Sequence, residues 1–368
     1  MQAQLDSELV QEALQVVTRL SPPMTGNVTL KADGGKLFLL SASDLSNCTI
    51  QIPGRVEGSA LFAIPTQAFQ AAIKGRKEVS LSYANTVLRI KAGRYVAELT
   101  TVDAILAEDE QAQGDDRQEW RVSSEQMQWL RQAVSAVSLK PTMNLTAYMP
   151  VSVILTKRAA FVACYDEQHM AFVSSKEITG DLNVTLPLET AVAVFDTFNK
   201  LPCRMVVTPS ALFVSNKLIK VQLALPEPSD QQRDSTEVRA MAKEALTVDA
   251  HTIKLSKKDV ATFMENARAI ITKERPELEI ATEQGKCVFS VKTTIGRTKT
   301  SVKAQAKNAT RFVIDYEYFD EALRKCPDEL VLRLAGEDFL AFRGKDARVL
   351  VSLNQEGDAK EEEETADE

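Results

Sequence analysis

Histidine is scarce in this chain of 368 residues, which holds only His169 and His251. So few imidazoles argue against a multi-histidine metal site and against a set of histidine general bases. The five cysteines, at 48, 164, 203, 287 and 326, are odd in number and far apart, with no CxxC pair. Neither a metal knuckle nor a disulfide framework is expected, and a reducing compartment fits better. No stretch approaches the roughly 18 consecutive apolar residues of a membrane span. The opening MQAQLDSELVQEALQ places acids and amides where a secretory leader would place lysines and then an apolar run. This predicts a cytoplasmic protein. Walker, GxGxxG, HExxH and GxSxG patterns are missing as well, so the reading is non-enzymatic, with no catalytic residue, metal or cofactor assigned. Asp166 and His169 are spaced as an acid–base pair, but no nucleophile adjoins them.

What is present is ordinary globular composition: 44% hydrophobic and 26% charged residues, with 14 Gly and 13 Pro. The length suits two or three domains. Forty-four Lys and Arg against 51 Asp and Glu give a net charge of −7. The stretch DAKEEEETADE from Asp358 carries seven of those acids and one lysine, which leaves the rest of the chain near −1. That tail is expected to be disordered and solubilising, because like charges repel and nothing apolar anchors it. Any basic face on the body must come from asymmetric placement.

A repeated pattern organises the rest. LFAIPTQAFQAAI from Leu61 reads as a short strand, a Pro in the first helical turn and an amphipathic helix, and EVSLSYANTVLRIKAGRYVAELT then reads as three strands. The order returns at Val184 with LETAVAVFDTFNK, and at Phe312 with YEYFDEALRKC, where Asp315 takes the capping position. Upstream of each copy lies a related half. Ser7 precedes the stripe Leu9, Ala13, Val16, Val17 and Leu20. Ser123 with Gln126 reads as a capping box, and Ser256 with Asp259 does likewise before Val260, Phe263, Ala267, Ile270 and Ile271. The reading is an α+β chain of three repeated domains, 1–115, 116–228 and 251–355, each with two helices packed on antiparallel sheets. Residues 229–250 form a linker whose RAMAKEAL portion has helical composition, and 356–368 form the acidic tail.

Away from the apolar stripes, all six helices or their ends carry cations. These are Arg19; Lys74, Arg76 and Lys77; Arg131 and Lys140; Lys200; Lys257, Lys258, Arg268 and Lys273; Arg324 and Lys325. Singly, each fits a solvated residue or a cation at a helix C-terminus. Together they suggest a shared basic surface.

At this point the chain resembles the bacterial-type sliding clamps, the beta-subunit family of DNA polymerase III, over residues 5–354. NVTLKADGGKLFLLSASDLSNCTIQIPGRV, LFAIPTQAFQAAIKG and VSLSYANTVLRIKAGRYVAELTTVDA are similar to that family's first domain. ACYDEQHMAFVSS stands at its Thr-Asp-Gly-His-Arg-Leu-Ala segment, ENARAII resembles a third-domain helix and ARVLVSL the C-terminal strand. The resemblance implies a head-to-tail homodimer, a six-domain ring around duplex DNA with those cations facing it, and tethering of a DNA polymerase and clamp loader. It puts Tyr95 against Ile270 and Ile271 at the dimer interface. It puts Tyr165, Met170, Pro226 or Pro228, Val349, Val351 and Leu353 in an apolar cleft for partner peptides. Helix or strand burial alone would equally account for Ile270, Ile271, Val349 and Val351. The family's Phe-Pro-Asp-Tyr is replaced by LPEPSDQQ, a divergence that fits a viral version working in a host cytoplasm. An open monomeric processivity subunit and a structural protein of repeated domains remain as alternatives.

Overall fold

The computed structural model describes residues 1–104, 106, 117–139, 149–166, 168–225, 235–247, 251–271, 276–283, 285–306, 308–335, 338–344 and 346–354. Within these, the chain runs through six half-units of one design: strand, helix, three strands. The first comprises β1 (Gln2–Asp6), α1 (Ser7–Leu20), β2 (Asn27–Asp33), β3 (Lys36–Ala42) and β4 (Ser46–Ile52), followed by a short β5 (Gly54–Glu57). The second comprises β6 (Ala60–Pro65), α2 (Thr66–Ile73), β7 (Glu78–Ala84), β8 (Val87–Ala92) and β9 (Tyr95–Thr100). The third comprises β10 (Gln118–Val122), α3 (Ser124–Val137), β11 (Pro150–Leu155), β12 (Ala160–Tyr165) and β13 (His169–Ser175). The fourth comprises β14 (Leu182–Pro187), α4 (Leu188–Thr197), β15 (Cys203–Val207), β16 (Ala211–Ser215) and β17 (Ile219–Ala224). A separate helix, α5 (Ser235–Thr247), stands in the linker. The fifth half-unit comprises β18 (Thr252–Ser256), α6 (Lys257–Arg268), β19 (Glu277–Glu283), β20 (Lys286–Thr293) and β21 (Gly296–Ala306). The sixth comprises β22 (Thr310–Asp315), α7 (Tyr316–Lys325), β23 (Glu329–Ala335), β24 (Phe339–Arg343) and β25 (Arg348–Asn354).

Capping chemistry sets where the helices begin. Ser123 and Gln126 satisfy each other's backbone N–H, at 3.2 and 2.8 Å, in a reciprocal capping box. Asp315 accepts from the N–H groups of Glu317 and Tyr318, and Ser256 accepts from Asp259. At α1 the cap is Asp6, which accepts from Glu8 at 2.8 Å. Ser7 is buried instead and donates to the carbonyl of Ile73 at 2.7 Å, pinning the start of α1 to the end of α2. The buried stripe of α1 is Val10, Ala13, Leu14, Val17 and Leu20, against β3 and β4, while Leu9 is exposed. Ala13, Val17 and Leu20 of the expected stripe are buried, whereas Val10 and Leu14 replace Leu9 and the half-buried Val16, since both sets satisfy a period near 3.6. Pro65 and Pro187 close their strands one residue before the helix, rather than lying inside its first turn. Helix α6 stops at Arg268, so Ile270 and Ile271 lie beyond its end.

Two compact units emerge: residues 1–131 with 189–228, and residues 132–188 with 229–368. The stretch expected as a middle domain contributes to both. Unit one holds a five-stranded sheet, β5-β1-β7-β8-β9, and an eight-stranded sheet, β10-β15-β16-β17-β4-β3-β2-β6. Unit two holds a twelve-stranded sheet, β14-β11-β12-β13-β25-β22-β19-β20-β21-β18-β23-β24. Every pairing is antiparallel, and opening strands are exchanged between half-units. Thus β1 joins β7 while β6 joins β2, β10 joins β15 while β14 joins β11, and β18 joins β23 while β22 joins β19. Unit two also carries an aromatic run, Phe263–Phe289–Phe319–Phe342, with ring centroids 5.7, 6.1 and 5.3 Å apart.

A second rule governs the closing strands. β4, which closes the first half of repeat one, pairs with β17, which closes the second half of repeat two. β13 pairs with β25 in the same relation between repeats two and three. Two closing strands are left over. β9 pairs with β8 alone among the described residues. β21 pairs with β20 along Gly296–Lys303 but meets β18 only at Ala304–Ala306, which leaves its other side open over Gly296–Lys303 among the described residues.

The β7–β8 turn carries both its residues, Asn85 and Thr86, in the left-handed region, at φ 50 and 62. That is type I′ geometry, which matches strand twist but strains a β-branched residue. Thr86→Gly is expected to raise stability by about 0.5–1 kcal/mol, the relief of strain exceeding the added chain entropy. An upward shift of the urea midpoint checks this; an unchanged or lower midpoint would contradict it.

Candidate partner groove and candidate nucleic-acid face

In unit two, strand register builds an apolar floor. Tyr165 lies opposite Met170, Met170 opposite Leu350, and Leu350 opposite Ala341. Ile154 lies opposite Phe161, and Ala163 opposite Phe172. Directly paired residues share a face, so β11, β12, β13, β25 and β24 present one continuous apolar surface. Helix α5 lies on it through buried Val238 and Ala242, with Met241 and Phe339 half-buried at the margin. Beside α5 the floor leaves a narrow recess, a groove with room for about one water molecule, lined by Tyr165, Gln168, Met170, Phe339, Leu350 and Ser352 together with Val238 and Met241.

Tyr165 and Met170 thus stand in this groove. Val349 and Val351 do not: both are fully buried on the opposite face, and Leu350 and Ser352 take their place. Val349, Leu350 and Val351 are all apolar because β25 is covered on both sides, so alternation alone could not assign the face. Leu353 pairs with Ile314 beyond the groove. Pro226, Pro228, Lys140 and Lys273 lie outside the described residues, as does the acidic tail. Sequence reasoning missed Gln168, Phe339, Leu350 and Ser352 of the groove, and also Val238, Met241 and Ala242 of α5, whose i, i+3, i+4 spacing is legible.

The β12–β13 hairpin is held by Asp166. Its Oδ1 accepts from the backbone N–H of Gln168 and of His169, each at 2.8 Å, and Oδ2 lies 2.6 Å from Nδ1 of His169. The buried His169 ring leans on Tyr318, with centroids 4.4 Å apart. Burial opposes the charge on Asp166, but the His169 ring and the two N–H groups outweigh it, so the carboxyl titrates below the usual aspartate range. This acid–imidazole pair is the tie of a tight turn.

The cations gather around two carboxylates. In unit one, Arg19 of α1 and Arg131 of α3 reach Asp196 of α4 at 2.7 and 2.8 Å. Burial again opposes the Asp196 charge, and the two guanidiniums overcome it and hold its pKa low. In unit two, Arg268 of α6, at 2.8 Å, and Arg324 of α7 converge on Asp320. Two guanidiniums on one carboxylate leave the Asp196 cluster positive, whereas Arg324 also lies 3.9 Å from Glu321, which balances the Asp320 cluster; in both, the pairing fixes exposed arginines on linked helices. Lys74, Lys77, Lys200 and Lys258 are exposed. Arg76 sits 3.4 Å above the Tyr95 ring.

Two lysines expected on the DNA side do other work. Lys325 donates to the carbonyls of Ala136 and Ser138 at 3.1 and 2.6 Å, at the C-terminus of α3, and burial lowers its pKa. Lys257 donates to the carbonyls of Cys326, at 2.5 Å, and Arg324, at the end of α7. Both satisfy orphan helix carbonyls.

At the open edges, Tyr95 is half-buried on β9, and Ile270 and Ile271 are half-buried. Thr293 holds the Ile270 carbonyl at 2.9 Å, next to Ile295, which is 62% exposed. All five cysteines are buried, and burial pushes each thiol up to about 12. No described helix is long and apolar enough to cross a membrane.

No protein-family model and no curated sequence matches the chain. Solved structures do. The DNA polymerase III subunit beta of Pseudomonas aeruginosa is similar at a TM-score of 0.77 and 11% identity, over 96% of this chain and 100% of that one. The DNA polymerase sliding clamp of Caulobacter crescentus is similar at 0.76 and 14%, over 96% and 100%. The sliding clamp of Bartonella birtlesii, solved with griselimycin bound, is similar at 0.77 and 13%, over 96% and 99%. The chain therefore has the fold of the bacterial sliding clamps.

Because Asp166 and Asp196 titrate below the ordinary 3.8, their charges stabilise the fold fully above that pH and less as pH falls through their folded values. Asp166→Asn is expected to cost about 1–2 kcal/mol at pH 7. Urea titrations at pH 7 and at about pH 3 should show the deficit shrinking in acid. A deficit constant with pH would assign it to shape rather than charge.

Proposed function

We propose that this chain, with its clamp fold, is a sliding clamp. Two copies close head to tail into a ring around duplex DNA and tether a replicative polymerase and other replication proteins through the groove beside α5. Its three domains are residues 1–115, 116–228 and 251–355. One observation carries the reading. The closing strand of each first half pairs with the closing strand of the next repeat's second half, twice within the chain. The third such pair, β21 with β9, is not made among the described residues, and a second copy can supply it. Interfaces of this head-to-tail kind form rings when the rotation closes.

The edges suit each other chemically. β9 exposes Val96, Glu98 and Thr100, and β21 exposes Arg297, Lys299 and Ser301, so opposite charges meet across the seam. Tyr95, Ile270, Ile271 and Ile295 supply apolar contact beside it. Left unpaired, two such edges would be an aggregation liability.

Holding DNA without reading it asks only for phosphate contacts, which carry no sequence information directly. The arginine clusters and the exposed lysines supply these, and enclosure supplies retention, so each contact can be weak. The role makes and breaks no bond in DNA or protein and is therefore non-enzymatic. A clamp loader would open one seam, and the work belongs in the cytoplasm.

Sedimentation at micromolar concentration should give a dimer, and Arg297→Glu with Lys299→Glu should weaken it at least tenfold. The dimer should outlast challenge on circular DNA and run off linear DNA; a monomer, or equal retention on both, would contradict the ring. Changing exposed Lys74, Lys77 and Lys258 to Glu together should lower the slope of log affinity against log salt by about 2–3 without unfolding. An unchanged slope would remove those lysines from the DNA face.

A further inference from the structure

We infer that α5 is a resident, displaceable ligand of the groove, so that the free protein keeps its partner site closed by a helix of its own chain. This rests on the clamp reading for the identity of the competing partners, but not for the helix exchange itself.

The first observation is length. Residues 225–251 join β17 to β18, where a common connection takes roughly 2–6. A connection that served only to cross between two strands would need no helix. The second is the way α5 is held. Among residues 236–243 of α5, Val238 and Ala242 are buried and Met241 is half-buried, at i, i+4 and i+3. Thr236, Glu237, Arg239, Ala240 and Lys243 are exposed. Such a narrow stripe laid in an apolar groove is the helix-in-groove mode of recognition, made here in cis. The third is what lies underneath. Tyr165, Met170 and Leu350 line the groove that the fold's partner peptide would enter, and Val238 stands among them. The room left there is that of about one water molecule.

Isolated helices of this length are marginal in water. Contact with the groove, rather than intrinsic propensity, therefore keeps α5 folded, and few contacts need break to release it. A partner must take the place of Val238 and Met241, so its apparent affinity falls in proportion to the fraction of molecules with α5 released. The exchange favours partners presenting an amphipathic segment with apolar residues at the same three positions.

The test uses the full chain. Two variants release α5: Val238→Glu with Ala242→Glu, and replacement of residues 235–247 by an equal length of Gly and Ser. The probe is a fluorescein-labelled synthetic peptide with the sequence of residues 235–247. Both variants should stay folded and bind it at least tenfold tighter than the unaltered chain. A peptide carrying the two Glu changes should bind neither variant. In the unaltered chain, amides of α5 should exchange with deuterium at least tenfold faster than those of β12 and β13, reporting local release. Equal peptide binding by all chains would overturn the inference. So would α5 amides as slow as the strands, or unfolding of both variants, because either makes α5 permanent core. A failed clamp reading would appear separately, as a monomer without preference for circular DNA, with the peptide exchange still measurable.

Discussion

Strand closure is the constraint on which the rest depends. Each half-unit ends in a strand whose outer side must find a partner, because unpaired backbone at a sheet edge is both unsatisfied and sticky. The chain meets that demand internally at β4–β17 and β13–β25. Among the described residues, β9 and β21 keep an open side. The exchange of opening strands ties together the two halves of repeat one and of repeat three, so the leftover edges belong to broad sheets rather than to loose hairpins. In the proposed ring, assembly would be the same pairing made once more, between molecules.

The seam between β13 and β25 does a second job. By bringing Met170 beside Leu350 it joins the apolar faces of two hairpins into one floor, which neither could present alone. The candidate binding surface and the architecture are thus a single feature, and α5 lies on it. On the helices, Asp196 and Asp320 each gather two arginines. The cost of confining like charges is offset by a shared carboxylate, and the guanidiniums remain exposed enough to meet phosphate.

Much of this was legible in the residues. The order of strand, helix and three strands, the caps at Ser123, Ser256 and Asp315, and the helical composition inside the linker all follow from local chemistry. What was not legible depends on partners distant in sequence. The role of Lys325 is set by the end of α3, 187 residues away, and nothing near Lys325 announces it. The face of β25 is undecidable from VLV, because a strand covered on both sides loses the alternation that would reveal its phase. In α1, Leu9 and Val10 offer two stripes of similar quality, and only packing against β3 and β4 chooses between them. The pairing of closing strands across repeats leaves no trace in one dimension at all.

Ring closure through β9 and β21 is the central claim, and electron-microscope images of the purified full-length protein test it most directly. The account predicts closed particles of six similar lobes around a central hole, two copies to each. Crescents of three lobes, or dimers joined without a hole, would contradict it.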